Sequence, residues 1–241
     1  MRLPRCCLMR AAPSARPPGR PFTRADTERA PRRIINRGRW ANATVFIHVH
    51  DGVDWVVKDF GVCPLLYRAT VGRFMVRREL SALERLHGVP GVPSDAFRID
   101  SHALAYRFVP GSEIAVVGPD GATPDYFREL EATVLAMHAR GITHLDLRSG
   151  GNILVTETGR PLVIDFQSHV KADRLPEFLW RMLVNIDLGG VYKHWSDRHP
   201  ESLGVERHAI RDRAQAWRRL WFLRPYFWVK RTPDDTRASG D

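Results

Sequence analysis

Between Thr44 and His50 the apolar residues fall at positions 45, 47 and 49, the period of two that marks a half-buried strand. Asp51-Gly52 is a two-residue hairpin signal, and Val53 to Phe60 reads as the returning strand. Gly61 to Thr70 reads as a loop. Val71 to Leu86 follows as a helix, ended by His87-Gly88-Val89-Pro90-Gly91. Ser101 to Phe108 is a further strand, broken by Val109-Pro110-Gly111 in the manner of a hinge. Thr123-Pro124 offers a capping hydroxyl and a first-turn proline. The helix they start keeps Phe127, Leu130, Val134 and Met137 at helical spacing until Gly141. Short strands are predicted at Ile153 to Val155 and Leu162 to Ile164, and a helix from Leu175 to Ile186. Asp187 to Trp195 reads as a turn-rich connector with no chemical role of its own. A last helix, Val205 to Leu223, carries Ile210, Trp217 and Trp221 on one side.

Two charges interrupt this pattern. Lys58 lies in the second strand on the same face as Val56, so a cleft lined by that face would hold an apolar wall with an ammonium beside it. On the following helix Met75, Glu79, Leu83 and Leu86 lie within about 80° of one another, whereas Glu84 falls on the outer side. A carboxylate in a buried stripe is costly unless a cation meets it, and Lys58 is the obvious partner for Glu79.

Composition changes the picture mainly at the chain's start. The 241 residues allow one domain or two small lobes, and 44% apolar content with seven Trp implies a folded globule. The net charge is +10, but residues 1–33 hold nine Arg against Asp26 and Glu28, a net of +7, which leaves +3 on residues 34–241. Charge therefore does not require a nucleic-acid partner, and none is expected. Residues 1–33, rich in Arg, Pro and Ala with no sustained apolar run, read as a disordered or transit-like tail and are set outside the fold. Cys6, Cys7 and Cys63 have no metal-ligand spacing and imply no disulfide framework, which suits a reducing cytosol. No run approaches the roughly eighteen apolar residues of a membrane span.

The candidate chemistry lies between Gly141 and Gln167. His144-Leu-Asp146 is followed by Asn152 six residues after the aspartate, and Asp165-Phe166-Gln167 comes thirteen residues later. An Asp carboxylate and an Asn carbonyl are the hard oxygen ligands that metal-bound phosphates need, and a second Asp can orient a hydroxyl. Lys58 adds the fixed cation.

In this order the residues resemble the protein-kinase-like fold, over about residues 34 to 167. The resemblance implies an α+β, bilobal fold with a small antiparallel β N-lobe (34–108) and a reduced, mainly helical C-lobe (109–230), followed by a disordered C-terminus (231–241). It implies an ATP-dependent kinase with ATP and Mg²⁺ as cofactors. Lys58 would grip the α- and β-phosphates, with Glu79 as its helix partner. Val56, Phe108 and Val109 would line the nucleotide site, Asp146 would be the catalytic base, and Asn152 and Asp165 would hold Mg²⁺. Arg148 stands where many kinases put a Lys, either touching phosphate or bracing the loop, and His144 reads as a structural brace.

Four departures qualify the resemblance. Asp146 to Asn152 is one residue longer than the common spacing, and Gln167 replaces a Gly. The covering loop Asn36 to Thr44 holds a single glycine, Gly38, and no Ala-Pro-Glu segment follows Asp165. These departures are similar to the small bacterial group containing lipopolysaccharide-core sugar kinases and RIO-type kinases. The acceptor is then a hydroxyl on a lipid-linked sugar or on a protein Ser/Thr. The location is cytoplasmic, with peripheral contact at the inner membrane face open through the basic, aromatic stretch from Arg218 to Trp228. A regulatory pseudokinase that binds nucleotide without transferring phosphate is the alternative.

Overall fold

The computed structural model describes residues 20–38 and 42–220. The chain enters the fold earlier than composition predicts. Helix α1 (Arg24–Arg29) and edge strand β1 (Arg33–Asn36) both fall in the stretch expected to be tail. Phe22 is only 2% exposed, with its ring 4.5 Å from His48, 5.6 Å from Trp55 and 5.0 Å from Phe97 between centroids. Arg24 pairs with Asp59 at 2.9 Å and also with Asp100. The exclusion of residues 1–33 from the fold is thus corrected for its described part. Phe22 and Arg24 find partners far along the chain, which local composition does not register.

Strands β2 (Thr44–His50) and β3 (Val53–Asp59) form the predicted hairpin, with Thr44 opposite Asp59 and His50 opposite Val53. Asp51 and Gly52 take φ of 49° and 73°, as a two-residue turn between twisted strands requires. The hairpin is buried on both faces rather than one, because Phe22 covers Phe46, Trp55, Val57 and Phe97 on the outer side. Val49, predicted to face inward, is 55% exposed.

Helicity then begins at Leu65 rather than Val71, so the predicted loop shrinks to residues 61–64. A short α2 (Leu65–Tyr67) passes through a π-helical turn (Arg68–Gly72) into α3 (Arg73–Arg85). Strands β4 (Phe97–Arg98) and β5 (Ala103–Arg107) complete an antiparallel sheet in the order β1-β2-β3-β5-β4.

Past Pro110 the chain forms β6 (Gly111–Glu113) and α4 (Pro124–Ala139), whose Thr123 hydroxyl accepts from the Tyr126 N–H as a cap. Then come β7 (Ile142–Thr143), β8 (Ile153–Thr156), β9 (Pro161–Val163) and β10 (Val170–Lys171). Strand β8 pairs with both β6 and β9, and β7 pairs with β10. Helices α5 (Glu177–Arg198), α6 (Pro200–Leu203) and α7 (Val205–Leu220) close this half. The connector expected at Asp187 to Trp195 is corrected: those residues are the middle of the continuous α5. Its two glycines mark close packing, not a turn. Ile210 packs against the core from α7, and the membrane-facing stretch predicted beyond Leu220 lies outside the described residues.

One hydrophobic core runs from Val56, Phe60 and Leu83 through Phe127 and Leu147 to Trp195, which stacks on Phe127 at 5.6 Å. The architecture is the expected α+β fold, an antiparallel sheet with α3 on one side of the core and a mainly helical half on the other.

Truncating a fully buried Phe costs about 3–5 kcal/mol. Phe22→Ala is accordingly expected to lower the urea midpoint by a clear margin. A midpoint that stayed near wild type would show the segment before β1 to be dispensable.

Candidate active site

Pairing with β5 sets Lys58 opposite Leu104 and Val56 opposite Tyr106, and both Lys58 and Val56 are buried. The Lys58 ammonium donates to Glu79 Oε1 at 2.6 Å and to Asp165 Oδ1 at 2.9 Å. Glu79 comes from the buried stripe of α3 with no exposure at all, as its position among Val76, Leu80 and Leu83 predicts. Burial works against the charge on Lys58, but the Asp165 and Glu79 carboxylates outweigh it and hold its pKa above the ordinary lysine value. Burial likewise opposes the charge on Asp165, and Lys58 overrides it, so that carboxyl is held below its usual range.

Asp165 leaves the end of β9 with φ of 66°, a left-handed turn that redirects the chain. Gln167, noted above as a departure, donates from its amide to Glu79 Oε2 at 3.2 Å. Arg78 on α3 donates to the carbonyls of Gln167, at 2.6 Å, and His169. Helix α3 is therefore fastened to the segment after Asp165 by side chains on both sides of the Lys58–Glu79 pair.

Asp146 and Asn152 form the second half of the site. The Asn152 amide donates to the Asp146 carboxylate at 2.7 Å and to its carbonyl at 3.0 Å, which leaves the amide oxygen as the atom available to a metal. Between the two residues the loop turns at Gly150, whose φ is 80°. Burial pushes the Asp146 carboxyl up to about 6, even though the Asn152 donation pulls it down. The Ile164 N–H donates to the Asn152 carbonyl at 3.0 Å next to the β8–β9 ladder, so Asn152 and Asp165 emerge side by side.

His144 is fully buried, and burial lowers its pKa, which favours the neutral ring. Its Nε2 lies 2.9 Å from the Ile164 carbonyl, and Nδ1 accepts from the Asp146 N–H at 3.2 Å. A neutral ring with its proton on Nε2 satisfies both bonds. It therefore braces the two halves of the site, as the sequence implies.

Three further residues were missed by sequence reasoning. Asp187 on α5 accepts from the backbone N–H groups of His144 and Leu145, both at 2.7 Å, and lies 3.0 Å from His138 Nε2. One helical turn on, a Cβ added at Gly190 would sit 3.1 Å from the Arg148 nitrogen, so the loop rests directly on the helix backbone. A further turn on, His194 Nε2 lies 3.1 Å from the Leu147 carbonyl.

Arg148 is half-buried on the same loop, and Phe108 and Val109 are half-buried at the hinge, where Phe108 N donates to the Asp54 carbonyl at 3.0 Å. Gly38 belongs to the described part of the covering loop, whereas Arg39 to Ala41 lie outside the described residues.

The donor set fits Mg²⁺. No group of three or more His, Cys, Asp or Glu converges on a metal site among the described residues. The chain instead offers one carboxylate, Asp165, and one amide oxygen, Asn152. Mg²⁺ is characteristically held by one or two protein oxygens completed by phosphates and water.

A family model for the RIO domain matches residues 66–206, more than half of the chain. The chain belongs to the RIO domain family. The match takes in Glu79, Asp146, Asn152, Asp165 and Asp187, and begins after Lys58, which lies in the hairpin before it. No curated protein matches the chain. Among solved structures it is similar to the Rio2 kinase–ADP/Mg²⁺–phosphoaspartate complex from Chaetomium thermophilum, at 21% identity and a TM-score of 0.51. The alignment covers 69% of this chain and 56% of that one, so the chain spans little more than half the length of that structure. Both findings set this RIO domain in the protein-kinase-like superfamily, with the bilobal fold.

Asp187→Asn keeps the side-chain shape but withdraws the charge and one acceptor from three donors. A buried donor left without a partner costs about 1–3 kcal/mol. The variant is expected to unfold at correspondingly lower urea, and the same midpoint as wild type would contradict the anchoring role.

Proposed function

We propose that this RIO domain is an ATP-dependent phosphotransferase that moves the γ-phosphoryl group of ATP to a hydroxyl acceptor. The observation that carries this reading is the meeting of Lys58, Glu79 and Asp165 with the Asp146–Asn152 pair, braced by His144. Phosphoryl transfer asks a protein mainly to hold phosphates and to aim a nucleophile, and this set supplies both functions.

Lys58 spends two of its three N–H groups on Glu79 and Asp165, and the third is directed to the α- and β-phosphates. Val56, Phe108 and Val109 line the base end of the cleft. Asn152 and Asp165 would hold Mg²⁺, which when bound would supply neutralising charge to the phosphates. Asp146, ionised, accepts the proton of the acceptor hydroxyl as that oxygen bonds to the γ-phosphorus. The bond from that phosphorus to the β–γ bridging oxygen breaks, and its electron pair leaves with ADP. Arg148, two residues further on, would either touch the transferred group or brace the loop.

The Rio2 structure, a complex with ADP and Mg²⁺, supports the nucleotide and the metal. Gln167, which with the single-glycine covering loop motivates the regulatory pseudokinase reading, has a supporting use as a second partner of Glu79. The acceptor is a hydroxyl of a lipopolysaccharide core sugar or of a protein Ser/Thr, since Asp146 requires only a hydroxyl within hydrogen-bond reach. A second reading follows from the phosphoaspartate in the Rio2 complex: a carboxylate of this chain itself receives the phosphoryl group.

γ-Labelled ATP and a lysate divided into lipid-glycan and protein fractions test all three acceptors. Label in one fraction identifies the acceptor, and hydroxylamine-labile label on the chain itself marks an acyl phosphate. Asp146→Asn is expected to keep nucleotide binding and to lower turnover by roughly 10²–10⁴. Turnover near wild type in that variant would remove Asp146 from the base role.

The pH dependence has a defined sign. Only ionised Asp146 can accept a proton, and its pKa is raised to about 6. Turnover is expected to rise with pH through about 6 and then level, falling roughly tenfold per unit below it. A rate flat from pH 5 to 7, measured with saturating nucleotide, would contradict this assignment.

A further inference from the structure

The helical run that delivers Glu79 to the site has a second face. Glu79, Val76, Leu80 and Leu83 point inward, while Leu65, Leu66, Ala69, Arg73, Phe74 and Arg77 are all exposed. These exposed positions recur at helical spacing and form one stripe along the run. Its apolar members, together with Val62 in the loop just before it, are unusually bare for large hydrophobic residues: Val62 64%, Leu65 70%, Leu66 80% and Phe74 56% exposed.

Charge on this face has one sign. Between Asp59 and Glu79 the chain carries four arginines, at 68, 73, 77 and 78, and no acidic residue. Asp59 is buried against Arg24, and Glu79 is buried against Lys58, so neither offsets the arginines at the surface. Arg68 is tied to the Gly61 carbonyl at 3.0 Å, and Arg78 turns inward to Gln167. Arg73 and Arg77 remain exposed on either side of Phe74.

We propose that this face, from Val62 to Arg77, docks the protein on an anionic lipid bilayer. Two features favour a bilayer over a folded partner. Leucines that are 70% and 80% exposed stand out from the surface, whereas residues lining a groove for a peptide would be partly covered. Protruding apolar side chains need no complementary surface in a fluid interface, into which an amphipathic helix sinks its apolar face by about 5–10 Å. Arginines beside them meet anionic headgroups, and guanidinium is the more weakly hydrated cation, suited to that boundary. The contact is peripheral: no helix among the described residues is long and apolar enough to cross a membrane. The inference does not depend on the phosphotransfer reading, because it uses none of the residues assigned to chemistry.

Co-sedimentation of the full chain with vesicles tests it. Wild type is expected to pellet with phosphatidylcholine vesicles containing about one-third phosphatidylglycerol, and far less with phosphatidylcholine alone. The double variant Leu65→Ser, Leu66→Ser should lower partition to anionic vesicles by roughly tenfold or more. Because both leucines are exposed, its melting temperature should stay within about 2 °C of wild type. Arg73→Gln with Arg77→Gln should reduce the preference for anionic over neutral vesicles. Three results would overturn the proposal. One is no pelleting of wild type, and another is undiminished pelleting of the leucine variant. The third is a concentration-dependent dimer in gel filtration that the leucine variant abolishes, which would make the face a contact between two copies. Release of ADP from ATP by the leucine variant in the absence of vesicles is read separately, so a failure of docking and a failure of chemistry give different outcomes.

Discussion

A lysine ammonium in a protein interior is tolerated only with anions at close range. Lys58 draws its two from positions 21 and 107 residues away. That requirement ties β3, α3 and the end of β9 to a single point. The sheet cannot shift against α3 without separating Lys58 from Glu79, and neither can move off the second half without losing Asp165. Replacing the pair by apolar residues of similar size could leave the fold equally stable, since buried ion pairs are seldom net contributors to stability. What the pair contributes is position: a cation held in one place, as the proposed phosphate contact requires.

The Asp146 loop obtains its position differently. It has little regular structure of its own, and α5 supplies the rigidity along one face. Asp187 holds the loop's entry through two backbone N–H groups, Gly190 lets it lie on the helix, and His194 meets the Leu147 carbonyl. Burial pushes His194 down to about 4, so the ring stays neutral. Helix α5 and the Asp146 loop thus form one body, which is how a loop residue acquires the precision usually found on a helix or strand.

Much of the site could be read from the chain because its residues violate local rules. Glu79 stood out as a charge in an apolar stripe, Lys58 as a charge on the apolar face of a strand, and Asp165 as an acid at a strand end. Asp187 carried the same signal, an acid in register with Leu183, Val191 and Trp195, but Gly189-Gly190 made the segment look like a turn. Phe22 and Arg24 left no local trace. Their partners at 48, 55, 59, 97 and 100 are distant in sequence, and the neighbouring Arg and Pro residues resemble those of a linker. Gln167 was visible only as the absence of a glycine. Its value lies in reaching back to Glu79 once α3 is docked.

The paired glycines of α5 reverse an ordinary expectation about helices. Inside a helix, glycine is about 0.5–1 kcal/mol less favourable than alanine, so exchanging one for the other is a standard stabilising change. At Gly189 a new methyl group would stand 2.3 Å from the Ala214 Cβ, a neighbour with no rotamer to turn away, and α7 would have to move. At Gly190 it would press on the backbone that precedes Arg148. Sequence variation at these two positions is therefore constrained from outside the helix, by α7 on one side and the Asp146 loop on the other. A family member that substituted either residue would need a compensating change in α7 or in the loop, and the two regions should co-vary across the glycines that separate them.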